Sequence, residues 1–305
     1  MNNPVSALLA SHYWKSRVLA PEIGGSKALG KALRIIRSRW PETFASGGSE
    51  STPIFLLSAG WGSGSTLLQR LVTSGDSTLL WGEPHDHAVP IHRLAQMLIP
   101  INDRWPRDFY FSPKSDELAL QDQWIANLSP HPDALQKAHI KFIETWLKDS
   151  AAAKGCENWG LKEVRLTVDH ARYLRWLFPQ AKFLFIYRDV LKSYRSCRSV
   201  DWHSVWPDYR VSPPSAFAHH WNHLLSGFID GANELGALLV KYEDLVSGET
   251  PLSDISDYLG TSQIADGILG NKLGSRGNKH GELTRRETWI IRSITDELRE
   301  RLNYV

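Results

Sequence analysis

The chain has 305 residues, 42% of them hydrophobic and 22% charged, with 35 Lys and Arg against 33 Asp and Glu for a net charge of +2. That is the make-up of an ordinary globular protein of one large or two modest domains. It excludes a general polyanion binder, which carries a far larger basic excess, so any anion site must be local and no nucleic-acid partner is expected. Two cysteines, Cys156 and Cys197, do not make the disulfide framework of a small secreted domain and read as reduced, in a cytoplasmic setting. Apolar runs such as Phe183–Tyr187 fall far short of the ~20 residues of a membrane-spanning helix. Residues 1–10 lack the basic cluster that opens a signal peptide.

Residues 1–50 carry short helical patterns over Pro4–Ser16 and Ser26–Arg39, then run into the small polar segment Ala45-Ser-Gly-Gly-Ser-Glu-Ser-Thr52. They are expected to form an N-terminal helical extension and linker (1–50) ahead of one main domain (51–305). The main domain opens with the apolar run Ile54–Leu57, the pattern of a buried parallel strand. Gly60-Trp-Gly-Ser-Gly-Ser-Thr66 follows, and then Leu67–Val72 at helical spacing. Further strands are predicted at Thr78–Trp81, Trp159–Leu161, Lys182–Tyr187 and Ala237–Val240. Helices are predicted at Val89–Ile99, Asp133–Asp149, Val168–Leu177, Val190–Ser199 and Ala216–Leu235, with a last one at Thr284–Leu302 packed across the outside. This alternation predicts an α/β fold: a parallel central sheet flanked by helices on both faces.

A glycine-rich turn between a buried strand and a helix aims several backbone N–H groups at one point, beside the positive end of the helix dipole. Gly60, Gly62 and Gly64 permit close approach of a phosphate, and Ser63, Ser65 and Thr66 offer hydroxyls. The same run also reads as a plain strand-to-helix turn. It is not an ATP or GTP loop, because the lysine that must follow the last glycine is replaced by Ser65.

Three segments in order resemble the sulfotransferases that use 3′-phosphoadenosine 5′-phosphosulfate (PAPS). Ile54-Phe-Leu-Leu-Ser-Ala-Gly-Trp-Gly-Ser-Gly-Ser-Thr-Leu-Leu-Gln-Arg70 is similar to their 5′-phosphosulfate loop and the helix after it. Phe178-Pro-Gln-Ala-Lys-Phe-Leu-Phe-Ile-Tyr-Arg188-Asp189, with Ser196 eight residues after the arginine, is similar to their 3′-phosphate strand. Leu239-Val-Lys-Tyr242-Glu-Asp-Leu-Val246 looks like their Tyr-Glu-Asp-Leu segment. The resemblance implies a P-loop-like sulfotransferase fold. It implies PAPS as donor, held by Gly62, Ser63, Gly64, Ser65, Thr66, Leu67, Arg188, Ser196 and Tyr242, and a small-molecule or carbohydrate hydroxyl as acceptor. Independently of the resemblance, an arginine at a strand end forks well onto a phosphate.

Sulfuryl transfer needs a base and a cation. Trp81-Gly-Glu83-Pro84 follows the second strand in a context similar to the catalytic glutamate of the tyrosylprotein group, which makes Glu83 the expected base, with His85 and His87 as rivals. Lys162, at the end of Trp159-Gly-Leu-Lys162-Glu163, is similar to that group's sulfate-contacting lysine. The basic run Gly274-Ser-Arg276-Gly-Asn-Lys279 loosely resembles the segment that closes over the 3′-phosphate, with Arg276 ahead of Lys279. One departure stands out: the family's loop carries Arg or Lys where this chain has Gly62. Loss of such a charge donor costs roughly 3–4 kcal/mol of transition-state stabilisation, which keeps a non-catalytic PAPS-binding protein open as an alternative and a nucleotide kinase as a more remote one. His219-His220-x-x-His223 lacks the His-Glu-x-x-His pattern of a zinc site and reads as helix-surface histidines, so no metal is expected. The chain has 13 tryptophans, several of them in the poorly patterned stretches Asn102–Trp124 and Asp201–Tyr209, which read as acceptor-facing loops or as core beneath them.

Overall fold

The structure, a computed structural model, describes residues 20–45, 47–85, 88–111, 125–198, 205–206, 209–261, 264–270 and 281–304. The expected helix Pro4–Ser16, His87, Trp124, Trp202, Arg276 and Lys279 lie outside these residues.

Five parallel strands form the centre: β1 (Ile54–Ser58), β2 (Thr78–Trp81), β3 (Asn158–Glu163), β4 (Lys182–Tyr187) and, after a short antiparallel hairpin of β5 (Val205–Trp206) and β6 (Tyr209–Arg210), β7 (Leu238–Lys241). Their order is β2-β3-β1-β4-β7. Strand alternation sends successive side chains to opposite faces, and both faces here are apolar. Phe55 and Leu57 of β1 and Phe183 and Phe185 of β4 join one core. Ile54 and Leu56 with Leu184 and Ile186 join the other. This is why the strands read as unbroken hydrophobic runs, as buried parallel strands do.

The larger core is covered by α1 (Ala20–Arg39), α3 (Pro90–Gln96), α4 (Pro132–Ile143), α5 (Val168–Leu177), α7 (Pro214–Ala232) and α10 (Arg285–Arg301). The smaller is covered by α2 (Ser65–Thr73), α8 (Tyr242–Ser247) and α9 (Leu252–Leu259), and α6 (Val190–Cys197) follows β4. Leu29, Ala32, Leu33 and Ile36 of α1 and the adjacent Trp40 pack into the larger core, so the apolar stripe of that helix is spent on the main body. No described helix is long and apolar enough to cross a membrane.

Element boundaries depart from the sequence pattern where a local stop intervenes. The helix predicted over Val89–Ile99 ends at Gln96, ahead of Pro100, whose preceding residue is pushed out of the helical region. The helix predicted over Asp133–Asp149 runs on to Ala152, but Glu144–Lys148 winds as a π-helical turn. Phe111 packs edge-on against Trp40, with ring centroids 5.7 Å apart, and Trp105 against the buried Tyr110 at 5.2 Å. Of the two readings of these aromatics, packing beneath the loop is the one they follow. The cysteines are free, and burial pushes the Cys197 thiol up to about 12.

Candidate active site at the strand ends

In this strand order the chain passes from β1 out to β2, returns to β3, and then crosses β1 to reach β4. The crevice beyond the carboxyl ends of the central strands is where open α/β sheets place their ligands. Each strand delivers one expected residue or loop there: the glycine loop after β1, Glu83 after β2, Lys162 in β3, Arg188 after β4 and Tyr242 after β7.

The loop after β1 is held open by two glycines that nothing else replaces. Gly62 has φ 75°, and a Cβ there would lie 2.5 Å from the Ser193 carbonyl oxygen of α6. Gly64 has φ 90°, and a Cβ there would lie 2.1 Å from Tyr242 Cδ2. Both positions are left-handed, where L side chains are strained. The loop backbone therefore lies directly on α6 and on the Tyr242 ring, and its N–H groups lead into α2. Ser63 is fully buried, with its hydroxyl hydrogen-bonded to that of Ser58. Ser65 is also buried, Thr66 is exposed and Leu67 half-buried.

Arg188 bridges the loop and Tyr242. Its Nη1 donates to the Gly62 carbonyl at 3.2 Å, and its guanidinium lies 4.3 Å from the Tyr242 ring centroid. Its Nε is buried and meets no acceptor among the described residues, as is true of the Ser193 hydroxyl one turn before Ser196. Buried donors left open beside a glycine loop fit an oxyanion such as a phosphate, since an unsatisfied buried donor otherwise carries a full desolvation cost. The Arg-Asp pair is braced from behind. The Trp221 indole donates to the Arg188 carbonyl at 3.0 Å, while Asp189 caps α6 and meets the buried Arg299 of α10 at 3.3 Å. Ser196 is half-buried on α6.

On the other side of β1, the Lys162 ammonium is hydrogen-bonded to Glu83 Oε1, and Arg165 Nη1 donates to Glu83 Oε2 at 3.0 Å. The side-chain exposures are 7% for Lys162, 0% for Arg165 and 20% for Glu83, so the carboxylate is the member of the group that faces outward. Arg165 also lies 5.3 Å from the centroid of Trp61, and the Trp61 ring lies 5.6 Å from that of His220. Thus Arg165 ties the loop to the carboxylate.

Glu163 completes the cluster. Its Oε1 accepts the backbone N–H groups of Val164 and Arg165 at 2.8 and 3.1 Å. Burial, with the Glu83 charge adding to it against the opposing pull of Arg165, raises its carboxyl to about 7. The folded value lies above the ordinary 4.5, so between those values the folded protein binds more protons and loses stability as pH rises. Glu163→Gln keeps the acceptor for both N–H groups and removes the charge. Urea unfolding is expected to show the wild type losing on the order of 3 kcal/mol more than the variant from pH 4.5 to 8; parallel pH profiles would show that Glu163 is not held in this way.

Arg165, Glu163 and Trp61 were not assigned a role from the sequence, although Glu163 and Arg165 lie one and three residues after Lys162. His220 requires a correction. Expected on a helix surface, it is 1% exposed, lies beneath Gly60 and Trp61, and is pushed down to about 3 by burial, with the His223 and Arg165 charges adding to the effect. The helix α7 passes under the loop, so this position faces the core. Among the described residues no group of three or more His, Cys, Asp or Glu is arranged to hold a metal.

Beyond Glu83 lies a cleft of about 370 Å³ whose walls include Trp81, Pro84, His85 and Trp146. His85 has φ 57° and stacks on Trp146, with centroids 5.7 Å and planes 11° apart. The Trp81 indole donates to the Leu147 carbonyl of the π-helical turn at 2.9 Å.

Among solved structures the chain is similar to sulfotransferase STF9 from Mycobacterium avium (13% identity, covering 90% of this chain and 82% of that one, TM-score 0.41). It is similar also to the sulfotransferase domain of the curacin biosynthetic pathway (16%, 82% and 91%, TM-score 0.43) and to that of the Synechococcus PCC 7002 olefin synthase (16%, 81% and 95%, TM-score 0.40). No curated protein matches the chain in sequence. The family model described as "Sulfotransferase family" matches residues 53–264, from the start of β1 to beyond α9. With that match spanning most of the chain and covering every strand of the crevice, the chain belongs to the sulfotransferase family.

Proposed function

We propose that the chain transfers the sulfuryl group of PAPS to a hydroxyl of a small-molecule or carbohydrate acceptor. The observation that carries this reading is the pairing of Glu83 with Lys162 beside the glycine loop, with Glu83 also lining an open cleft. In this reading the backbone from Gly62 to Leu67 and the hydroxyls of Ser65 and Thr66 hold the 5′-phosphosulfate. Ser63 contributes through its N–H, because its hydroxyl is engaged with Ser58. Arg188 and Ser196 hold the 3′-phosphate, with Arg276 assigned to the same phosphate, and Tyr242 flanks the adenosine.

Bound there, PAPS supplies the sulfuryl group, whose bond to the 5′-phosphate oxygen breaks as the bond to the acceptor oxygen forms. Glu83 takes the acceptor's hydroxyl proton on a carboxylate oxygen. Lys162 turns its ammonium from Glu83 toward the oxygens of the group in transit, which neutralises charge there and frees the carboxylate to accept the proton. With Gly62 in the loop, Lys162 and the buried Arg165 are the cations that stand in for the family's loop arginine or lysine.

The test is calorimetric titration with 3′,5′-phosphoadenosine (PAP), with Mg-ATP as the comparison. PAP is expected to bind at micromolar or tighter affinity and ATP weakly. Arg188→Ala should weaken PAP by about 10- to 100-fold, the loss of charge-assisted hydrogen bonds, with the fold intact by circular dichroism. Preference for ATP, or an Arg188→Ala variant with wild-type PAP affinity, would remove this nucleotide site.

A further inference from the structure

Resting on that reading, we infer that the cleft beyond Glu83 is the acceptor site, and that it takes an aromatic alcohol of one or two fused rings rather than a sugar. The cleft of about 370 Å³ is lined in part by Glu83, the one carboxylate among the described residues that line it. Its volume lies at the low end of the range for small-molecule sites, about 300–1,000 Å³. Trp81, Pro84, His85 and Trp146 are among its lining residues, and Ser150 is the sole hydroxyl among the described lining residues. A polyhydroxylated acceptor would lose water from many hydroxyls and find few partners, at a cost of a polar group for each one left unpaired. A flat ring loses little and gains the stacking and edge contacts that aromatic walls offer. Its single hydroxyl is assigned to the Glu83 oxygen, the carboxylate of the lining.

The wall is also built from unusual backbone. Trp146 sits in the π-helical turn Glu144–Lys148, which interrupts an otherwise regular helix and is anchored to the sheet edge through Trp81 and Leu147. Such turns are rare and concentrate at functional sites. His85 is in the left-handed region at φ 57° and lies flat on Trp146. Two strained or irregular segments thus meet ring to ring at the cleft.

The experiment measures equilibrium binding first and turnover second. 2-Naphthol and N-acetylglucosamine are titrated into the wild type without donor, and then into Trp146→Ala and Trp146→Phe. Naphthol is expected to bind the wild type at submillimolar Kd, at least tenfold more weakly to the alanine variant, and with most of that loss restored by phenylalanine. The sugar is expected to show no saturable binding. Absence of naphthol binding, a preference for the sugar, or equal naphthol affinity in Trp146→Ala overturns the inference. The binding arm uses no nucleotide. A protein that binds naphthol through Trp146 but not PAP would therefore refute the donor assignment and keep the pocket, whereas one that binds PAP and sulfates only the sugar would do the reverse.

Discussion

Glu83→Gln is expected to lower sulfuryl transfer from PAPS by about 10²–10⁴-fold, the usual contribution of a positioned general base, while PAP affinity stays within about threefold of wild type. The amide keeps the shape of the side chain, but its one oxygen can accept from only one of Lys162 and Arg165 and its NH2 turns a donor toward the other, and it has no carboxylate to take the acceptor proton. A second effect follows from burial. Lys162 and Arg165 are 7% and 0% exposed, and Glu83 is the carboxylate that meets both. Removing its charge leaves two buried cations facing Glu163 alone, so the unfolding midpoint should fall as well, since breaking a buried pair on one side is strongly destabilising. Titration with PAP separates the two effects, because an unfolded variant binds nothing. Turnover above about one tenth of wild type in a variant that binds PAP normally would move the base elsewhere, with His85 first in line at the same cleft.

Gly62→Arg, which writes the family's usual cation back into the loop, is expected to weaken nucleotide binding rather than improve catalysis. At φ 75° a side chain costs about 1–2 kcal/mol in backbone strain alone. The Cβ would also sit 2.5 Å from the Ser193 carbonyl oxygen and 3.2 Å from the Ser193 carbonyl carbon. Backbone cannot move aside as a flexible side chain does, so α6 must shift, with a further cost of about 1–3 kcal/mol. Because Arg188 reaches the loop through the Gly62 carbonyl, that shift also misplaces the 3′-phosphate residue. PAP affinity should drop at least tenfold and turnover should fall with it. Gly62→Ala, with the same Cβ and no charge, should reproduce most of the loss. An arginine variant that binds PAP as well as the wild type and turns over faster would show that the loop does accommodate the cation, and that Lys162 and Arg165 do not stand in for it.

The two effects draw on different layers of information. The glycine loop and the strand ending in Arg188-Asp189 are local patterns, whereas Glu83 and Lys162 were expected from the family resemblance of their short motifs. An apolar run bounded by a turn is visible in a few consecutive residues because strand burial and turn geometry act over that range. The five sheet strands accordingly lie within two residues of their predicted bounds at either end, and the parallel α/β class follows from their alternation with helices. Local patterning by itself determined the sheet and which loops would gather at its carboxyl edge.

What lies beneath those loops was settled by contacts between segments far apart in the chain. His220 reads as a surface residue on an amphipathic helix, yet α7 passes under Trp61, some 160 positions earlier in the sequence, and takes it into the core. Arg165 reads as one more basic residue after a strand. It is buried because Trp61 and Glu83, from two other strand ends, close over it. The space that forbids a side chain at Gly62 belongs to the α6 backbone, and the cleft beside Glu83 exists because a π-helical turn meets the edge of β2. Hydrophobic period and turn chemistry specify an element's inner face, but not the partner brought against it. Burial, close approach and charge pairing depend on that partner, so only the tertiary structure decided the floor of the loop, the neighbours of the carboxylate and the shape of the cleft.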